Sequence, residues 1–246
     1  MNDFLAKLNV FIETMREPVW QKNLLIGLSN TVKIAVLGLV IGIVIGTLIA
    51  VVKVAPKYKR TMRVLDKICS VYVAIFRGTP MVVQLLMAYY CILPVFGVKG
   101  VNAVTVGIVV FGMNSGAYVS EIMRGGIGAV DGGQLEAARA LGLSYPVSML
   151  KVVVPQAVKN VIPTIGNEFI TLVKETSVLS FITVYDLYTM FESMVGLTYE
   201  PIVPYLAMAL IYIVLVLTIT FLIKIVENIL AKSDRNRKQK GGKAKA

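Results

Sequence analysis

Five side chains place polar chemistry within or beside long apolar runs: Arg77, Thr79, Asn114, Glu168 and Lys174. Ionisable groups held in such surroundings are costly, and they face a partner or a water-filled path. Each is therefore a candidate for handling a solute. Glu168, between Gly166-Asn167 and Phe169-Ile170, could bind an α-ammonium or a cationic side chain, or form a salt bridge with Lys174 or Arg77. A zwitterionic solute needs one partner of each sign, and Glu168 with Arg77 or Lys174 supplies both. Arg77 precedes Gly78-Thr79-Pro80, a sequence that breaks or kinks a helix. Broken helices commonly line transporter paths, but a snorkelling Arg77 would reach headgroups instead. Asn114, next to Ser115, could hydrogen-bond a neighbouring helix or a solute, and the flanking Gly112 and Gly116 favour close helix packing. Glu121, seven residues on, is expected to pair with Arg124. Lys174 and Glu175 face different sides of a helix. Lys174, Thr176 and Ser177 are expected to bend that helix or line an outer gate.

Other chemistries are excluded early. The 246 residues contain no histidine and two cysteines. A Ser-His-Asp triad, an HExxH zinc site and a cysteine-based zinc cluster are therefore ruled out. No G-x-x-x-x-G-K-[ST] phosphate cradle occurs, and Gly125-Gly126-Ile127-Gly128 reads as a flexible turn. The chain needs no cofactor or metal of its own on this reading.

The elements that hold the polar groups are apolar and long. Hydrophobic residues make up 57% of the chain and charged residues 16%, outside the usual range of soluble domains. The mean hydropathy of +0.76 agrees. Residues 34–52, 78–98, 100–120 and 201–223 carry no charge, and a span needs roughly 20 apolar residues. A fifth stretch is interrupted by Glu168, Lys174 and Glu175. The pattern predicts an all-α, polytopic membrane protein with five helices, at about 24–52, 69–93, 102–120, 158–177 and 203–226.

Basic residues set the orientation. Lys53, Lys57, Lys59, Arg60, Arg63 and Lys67 oppose only Asp66 in 53–67, and the tail after the last span is equally basic. Both segments belong on the cytoplasmic side. The segment 184–202, with Asp186, Glu192 and Glu200 and no Lys or Arg, fits outside. Five spans then put the N-terminus outside and the C-terminus in the cytoplasm. The net charge of +11 is mostly a topology signal and does not argue for nucleic acid. Phe4, Leu5, Leu8, Ile12 and Met15 fall at helical spacing, so 1–20 reads as an amphipathic segment on the outer membrane surface. Residues 21–230 form the membrane domain, and 231–246 form a basic tail, expected to be disordered and drawn to anionic lipid. The tyrosines around the outer segment fit an interfacial aromatic belt.

Between the third and fourth spans, 121–157 is too long for a plain connection. Asp131 to Gln134 look like a helix start and 134–141 is a good helix-forming run. Gly142 suits a left-handed residue at the helix end, and Ser144-Tyr145-Pro146 opens a second helix. Two short helices joined by a glycine turn make a compact cytoplasmic knob, suited to docking.

Glu136-Ala137-Ala138, Gly142 and Val154-Pro155 resemble the EAA loop of importer permeases of the ATP-binding-cassette (ABC) class, with Val152 and Val154 where Ile and Leu are usual. Three further elements resemble the polar amino-acid branch. They are Phe76-Arg77-Gly78-Thr79-Pro80, Tyr118 to Ile127, and Asn167 with Lys174-Glu175-Thr176-Ser177. The resemblance runs from about Gly27 to Asp186.

It implies a type I importer permease fold in a bacterial cytoplasmic (inner) membrane. It also implies an ABC ATPase subunit that binds the ATP, an extracytoplasmic amino-acid-binding protein and a second permease subunit, identical or related. Glu136, Ala137, Ala138, Gly142 and Pro155 would then couple to the ATPase, with Glu136 able to hold the knob in shape. Arg77, Thr79, Asn114, Glu168 and Lys174 would line the substrate path. The implied activity is ATP-driven, binding-protein-dependent import of polar amino acids. The alternatives are import of another small polar solute, such as cystine or an opine-like compound, or a passive channel or scaffold.

Overall fold

The computed structural model describes residues 2–243, with side chains described for residues 3–229. An amphipathic helix α1 (Asn2–Arg16) precedes a long helix α2 (Pro18–Val54). Pro18 opens α2 where its missing N–H costs nothing. At 1.5 Å per residue, the 37 residues of α2 extend about 55 Å, well beyond a bilayer core. Phe11 and Met15 of α1 pack against the cluster around Trp20. Lys7 bridges Asp3 and Glu200 at 3.2 and 3.4 Å, which ties α1 to the outer segment.

The predicted second span is not one helix. It divides into α3 (Arg60–Gly78) and α4 (Met81–Val95), bent by 108°. Thr79 is extended (φ −122°, ψ 144°) because the residue before a proline avoids the helical region. Pro80 brings no N–H to bond back across the break. Helix α4 relaxes into a wider π-helical turn at Met87–Ile92.

Helix α5 (Ala103–Gly128) starts on Asn102, whose side chain accepts the Val104 N–H, and runs eight residues past the expected end at 120. The beginning of the predicted loop is thus a continuation of the span. The α2–α5 seam follows a ladder of small residues. A Cβ on Gly42 would lie 2.6 Å from Ser115 Oγ, and one on Gly46 would lie 2.7 Å from Val119 Cβ. In the reverse sense, Gly112 and Gly116 receive Ile41 and Ile45. Small residues every fourth position let two backbones approach where lipid offers no hydrophobic drive.

The knob follows as α6 (Gly132–Ala140) and α7 (Tyr145–Ser148), and a π-helical turn at Met149–Val153 leads into α8 (Val154–Glu175). The fourth predicted segment, 158–177, is therefore helical. Helix α8 tightens into a 3-10 stretch at Thr176–Ile182, where Thr176, Ser177 and Ser180 hydroxyls each donate to the carbonyl three residues back. The polar run thus changes the helix type.

The outer segment holds a further helix, α9 (Leu187–Thr198), with Leu187, Met190, Phe191 and Met194 buried around Trp20. Asp186 caps it through the Thr189 N–H and hydroxyl. Asn30 donates to the Tyr185 carbonyl and Thr31 accepts the Leu187 N–H, so the segment hooks onto α2.

The last helix, α10, is Ile202–Lys243. Its helix extends beyond the expected end of the span at 226. Residues 244–246 of the tail lie outside the described residues. By length and composition, α2, α5 and Ile202–Ile229 can each cross a membrane, and the bent α3–α4 pair counts as a fourth if it crosses as one broken span. Helix α8 is too polar to count by itself. Ile34, Leu85, Val110, Phe111, Leu172 and Leu179 form the centre of the core, contributed by α2, α4, α5, α8 and the 3-10 stretch.

Candidate coupling loop and intramembrane polar groups

The knob is held by its own termini. Asp131 Oδ1 accepts the Gly133 N–H at 2.9 Å, which caps α6. At the other end Gly142 is left-handed (φ +84°). The Gly142 N–H donates to Arg139 O and the Leu143 N–H to Ala138 O, the paired bonds of a glycine-terminated helix. The Arg139 guanidinium adds a bond to Leu143 O at 2.8 Å. Tyr145 donates its hydroxyl to Val54 O and fastens the knob to the end of α2. Burial pushes the Tyr145 phenol up, so it stays a donor. Gln156 of α8 reaches Gln134 of α6 at 3.4 Å.

The small residues divide by face. Ala138 is buried, whereas Glu136 and Ala137 are exposed. Glu136 makes no ion pair or hydrogen bond among the described residues, so it does not hold the knob in shape. Asp131, Gly142 and Arg139 do that instead. Pro155 stands in the first turn of α8, directly after the π-helical turn. A proline there removes one backbone donor, and the widened turn falls on the carbonyls that lose it.

The break between α3 and α4 is closed by side chains from two helices. Gln84 Nε2 lies 2.8 Å from Phe76 O, 3.0 Å from Thr79 O and 2.9 Å from Thr79 Oγ1. Asn114 Nδ2 donates to Gln84 Oε1 at 2.9 Å and to Phe76 O at 3.3 Å. Thr79 Oγ1 donates to Ile75 O, and Tyr72 donates to Met113 O. Asn114 is buried and engaged in packing; of the two sequence readings, the structure takes the neighbouring-helix one. Backbone groups freed by a break in a membrane require such partners. Gln84 went unnoticed in the sequence because an amide in an apolar run carries no charge signal; its place four residues after Pro80 was the available clue.

Arg77, exposed in the last turn of α3, sits over the Tyr118 ring at 5.4 Å, a favourable cation–π arrangement. Glu121 pairs with Arg124 at 2.7 Å as expected, and also with Lys53 of α2 at 2.9 Å. Glu168 is half-buried on α8 and forms no salt bridge with Arg77 or Lys174. Its polar neighbour across the helix pair is Ser115 of α5, whose Oγ is buried with no partner at hydrogen-bond distance. Lys174 is exposed at the end of α8. The structure thus brings Thr79 and Asn114 together, and Glu168 beside Ser115. It does not bring Lys174 or Arg77 to Glu168.

Bilayer-length helices, a broken helix pair and a capped knob between two long helices define an integral membrane protein with a projecting docking element. A family model described as the binding-protein-dependent transport system inner membrane component matches residues 38–232, and the chain belongs to this family. It is similar to the arginine transport system permease protein ArtQ of Bacillus subtilis (strain 168), with 39% identity over 208 residues, covering 85% of this chain and 92% of ArtQ. It is equally similar to a putative glutamine transport system permease protein GlnP of Rickettsia conorii (strain ATCC VR-613 / Malish 7), 39% over 201 residues, covering 82% and 89%. The crystal structure of an amino acid ABC transporter with histidines matches with a TM-score of 0.77 and 38% identity, covering 85% of this chain and 94% of that one. An inward-facing MetNI methionine ABC transporter structure shares the fold, with a TM-score of 0.67 at 19% identity.

Proposed function

We propose that this chain is the translocating subunit of an ATP-driven, binding-protein-dependent importer of polar amino acids. A separate ABC ATPase supplies the energy, an extracytoplasmic binding protein delivers the solute, and two permease subunits enclose the path. The relatives named for arginine and glutamine transport support an amino-acid solute. The five-span topology, with α8 as the fourth span and the N-terminus outside, belongs to this reading.

The observation that carries it is the knob. It is capped at Asp131, closed at Gly142 and fastened by Tyr145 to α2, yet it leaves Glu136 and Ala137 bare. A rigid projection with small or unpaired residues on its exposed face suits the groove of another protein. A passive channel has no need of it. ATP then favours one of two packings of the spans through its differential affinity for them. Within the membrane, Glu168 makes no ion pair and has only the Ser115 hydroxyl beside it, and these are the groups through which an ammonium or guanidinium would be read. Pro155 seats the knob on α8, and Lys174 offers an anion partner near the outer end.

The test is uptake of labelled arginine into proteoliposomes containing this chain, its ATPase and its binding protein. Glutamine, glutamate, histidine and cystine compete unlabelled. ATP-dependent uptake displaced by cationic competitors supports Glu168 as a charge contact. Displacement by glutamine or cystine keeps the importer and removes the cationic preference. No ATP-dependent uptake by an assembled, active complex overturns the amino-acid reading.

A further inference from the structure

We propose that an anionic phospholipid occupies a groove between the end of α2 and the knob, with its acyl chain inside and its phosphate among the basic residues at the rim. The groove has a volume of about 360 Å³. Val51 and Val54 of α2, Ile127 of α5, Tyr145 of the knob, and Met149 and Leu150 behind it form its walls. The Tyr145 hydroxyl is already spent on Val54 O, so the wall presents an apolar ring surface. Val51 and Leu150 are 62% and 69% exposed. Water against such a lining is unfavourable.

The occupant follows from charge. Pro56, also in the lining, is followed within four residues by Lys57, Lys59 and Arg60, and Leu150 is followed by Lys151. Lys57 is neutralised by Asp66 at 2.6 Å, and Lys53 by Glu121. Lys59, Arg60 and Lys151 are exposed and make no ion pair among the described residues. An apolar slot whose lining residues Pro56 and Leu150 are followed in the chain by three exposed cations without ion pairs matches a molecule with a hydrocarbon tail and an anionic head. The groove also lies where the last apolar turn of α2 gives way to its basic segment, the depth at which a headgroup sits. That placement on the cytoplasmic face rests on the topology of the proposed function. The walls come from both the membrane helices and the arm behind the knob, so a seated lipid braces one against the other.

The assembled transporter, extracted in detergent and titrated with phosphatidylglycerol or phosphatidylcholine, would be read by native mass spectrometry. The expected result is preferential retention of phosphatidylglycerol. Neutralising Lys59, Arg60 or Lys151 to Gln should lower that retention about fivefold per residue. These side chains are exposed, so the variants fold. Ala55→Trp, placed in the lining, should remove both lipids. Equal retention of the two lipids, unaltered by the Gln variants, means non-selective boundary lipid and overturns the proposal. So does a Leu150→Cys label blocked by the ATPase subunit and not by lipid, which would make the groove a protein contact. Lipid retention is read without transport, so a failure here is distinct from failure of the importer reading.

Discussion

Gly142 offers a test in which conformation and contact can be separated. Its φ of +84° is one that residues with a side chain rarely adopt, yet a Cβ there meets nothing within 4 Å. Substitution therefore adds no clash within this chain, and the penalty is the left-handed backbone itself, about 1–2 kcal/mol. That sets an upper bound of about 5- to 30-fold on the loss of the capped knob relative to an uncapped one. An ATPase that binds only the capped form loses apparent affinity by the fraction remaining. Asparagine tolerates the left-handed region and β-branched residues do not. The expected order is thus wild type, then Gly142→Asn, then Gly142→Ala, with Gly142→Val worst. The assay is affinity of the purified permease for its ATPase, followed by solute moved per ATP hydrolysed in proteoliposomes. Gly142→Asn performing as badly as Gly142→Val would refute the conformational account, and would place the cost in a crowded contact with the partner. Wild-type coupling in all three variants would remove the knob from the coupling route altogether.

Three further outcomes are expected. Gly42→Ala drives a methyl to 2.6 Å from Ser115 Oγ and 3.1 Å from the Ser115 carbonyl carbon, so the α2–α5 seam must open at about 1–3 kcal/mol. A lower melting temperature by size-exclusion fluorescence should result, with partial recovery in Gly42→Ala/Ser115→Gly. Gln84→Leu leaves the Phe76 and Thr79 carbonyls and the Asn114 amide short of partners, for about 1–3 kcal/mol each at most. Limited proteolysis at the α3–α4 break should quicken, and unchanged cleavage would mean that the break is held by packing alone. Glu168→Gln should weaken uptake of cationic amino acids more than neutral ones, and equal losses would remove Glu168 as a charge reader.

What the sequence made legible follows how each signal arises. The knob was readable because Asp131, Gly142 and Pro146 are local punctuation whose effect needs no distant partner. The break at Thr79-Pro80 was foreseen as a break or kink. Its 108° turn was not, because that angle depends on Gln84 and Asn114 meeting the freed carbonyls from two different helices. The salt bridges proposed for Glu168 failed for a related reason. Charge in the sequence names possible partners, but the approach of α5 to α8 decides which side chain arrives, and that was Ser115. Helix α9 escaped notice because its acidic, tyrosine-rich surroundings read as an outer connection. Its apolar residues Leu187, Met190, Phe191 and Met194 do keep helical spacing. The end of α5 was missed because Gly125-Gly126-Ile127-Gly128 reads as a turn, whereas it forms the last turn of the helix.

The polar groups sort into two sets with different tasks. Thr79, Gln84 and Asn114 satisfy one another and the broken backbone, and Arg77 lies on Tyr118; none of these has to await a solute. Glu168 and Ser115 are not engaged in that network, and they lie on the two helices that border the knob. Helix α5 ends at Gly128, three residues before Asp131 caps α6, and α8 begins directly behind the π-helical turn. From Pro155 to Glu168 is thirteen residues of one helix, about 20 Å. A displacement of the knob therefore reaches Glu168 along one continuous helix, interrupted in its hydrogen bonding only by Pro163, and reaches Ser115 through the short link 129–131. On the proposed reading, the ATPase need only tilt α8 against α5 for Glu168 and Ser115 to part. The polar bridge at the α3–α4 break meanwhile keeps the neighbouring span in register. Cross-linking Ser115→Cys to Glu168→Cys should then arrest transport while the ATPase still binds, and full transport in the cross-linked protein would contradict this route.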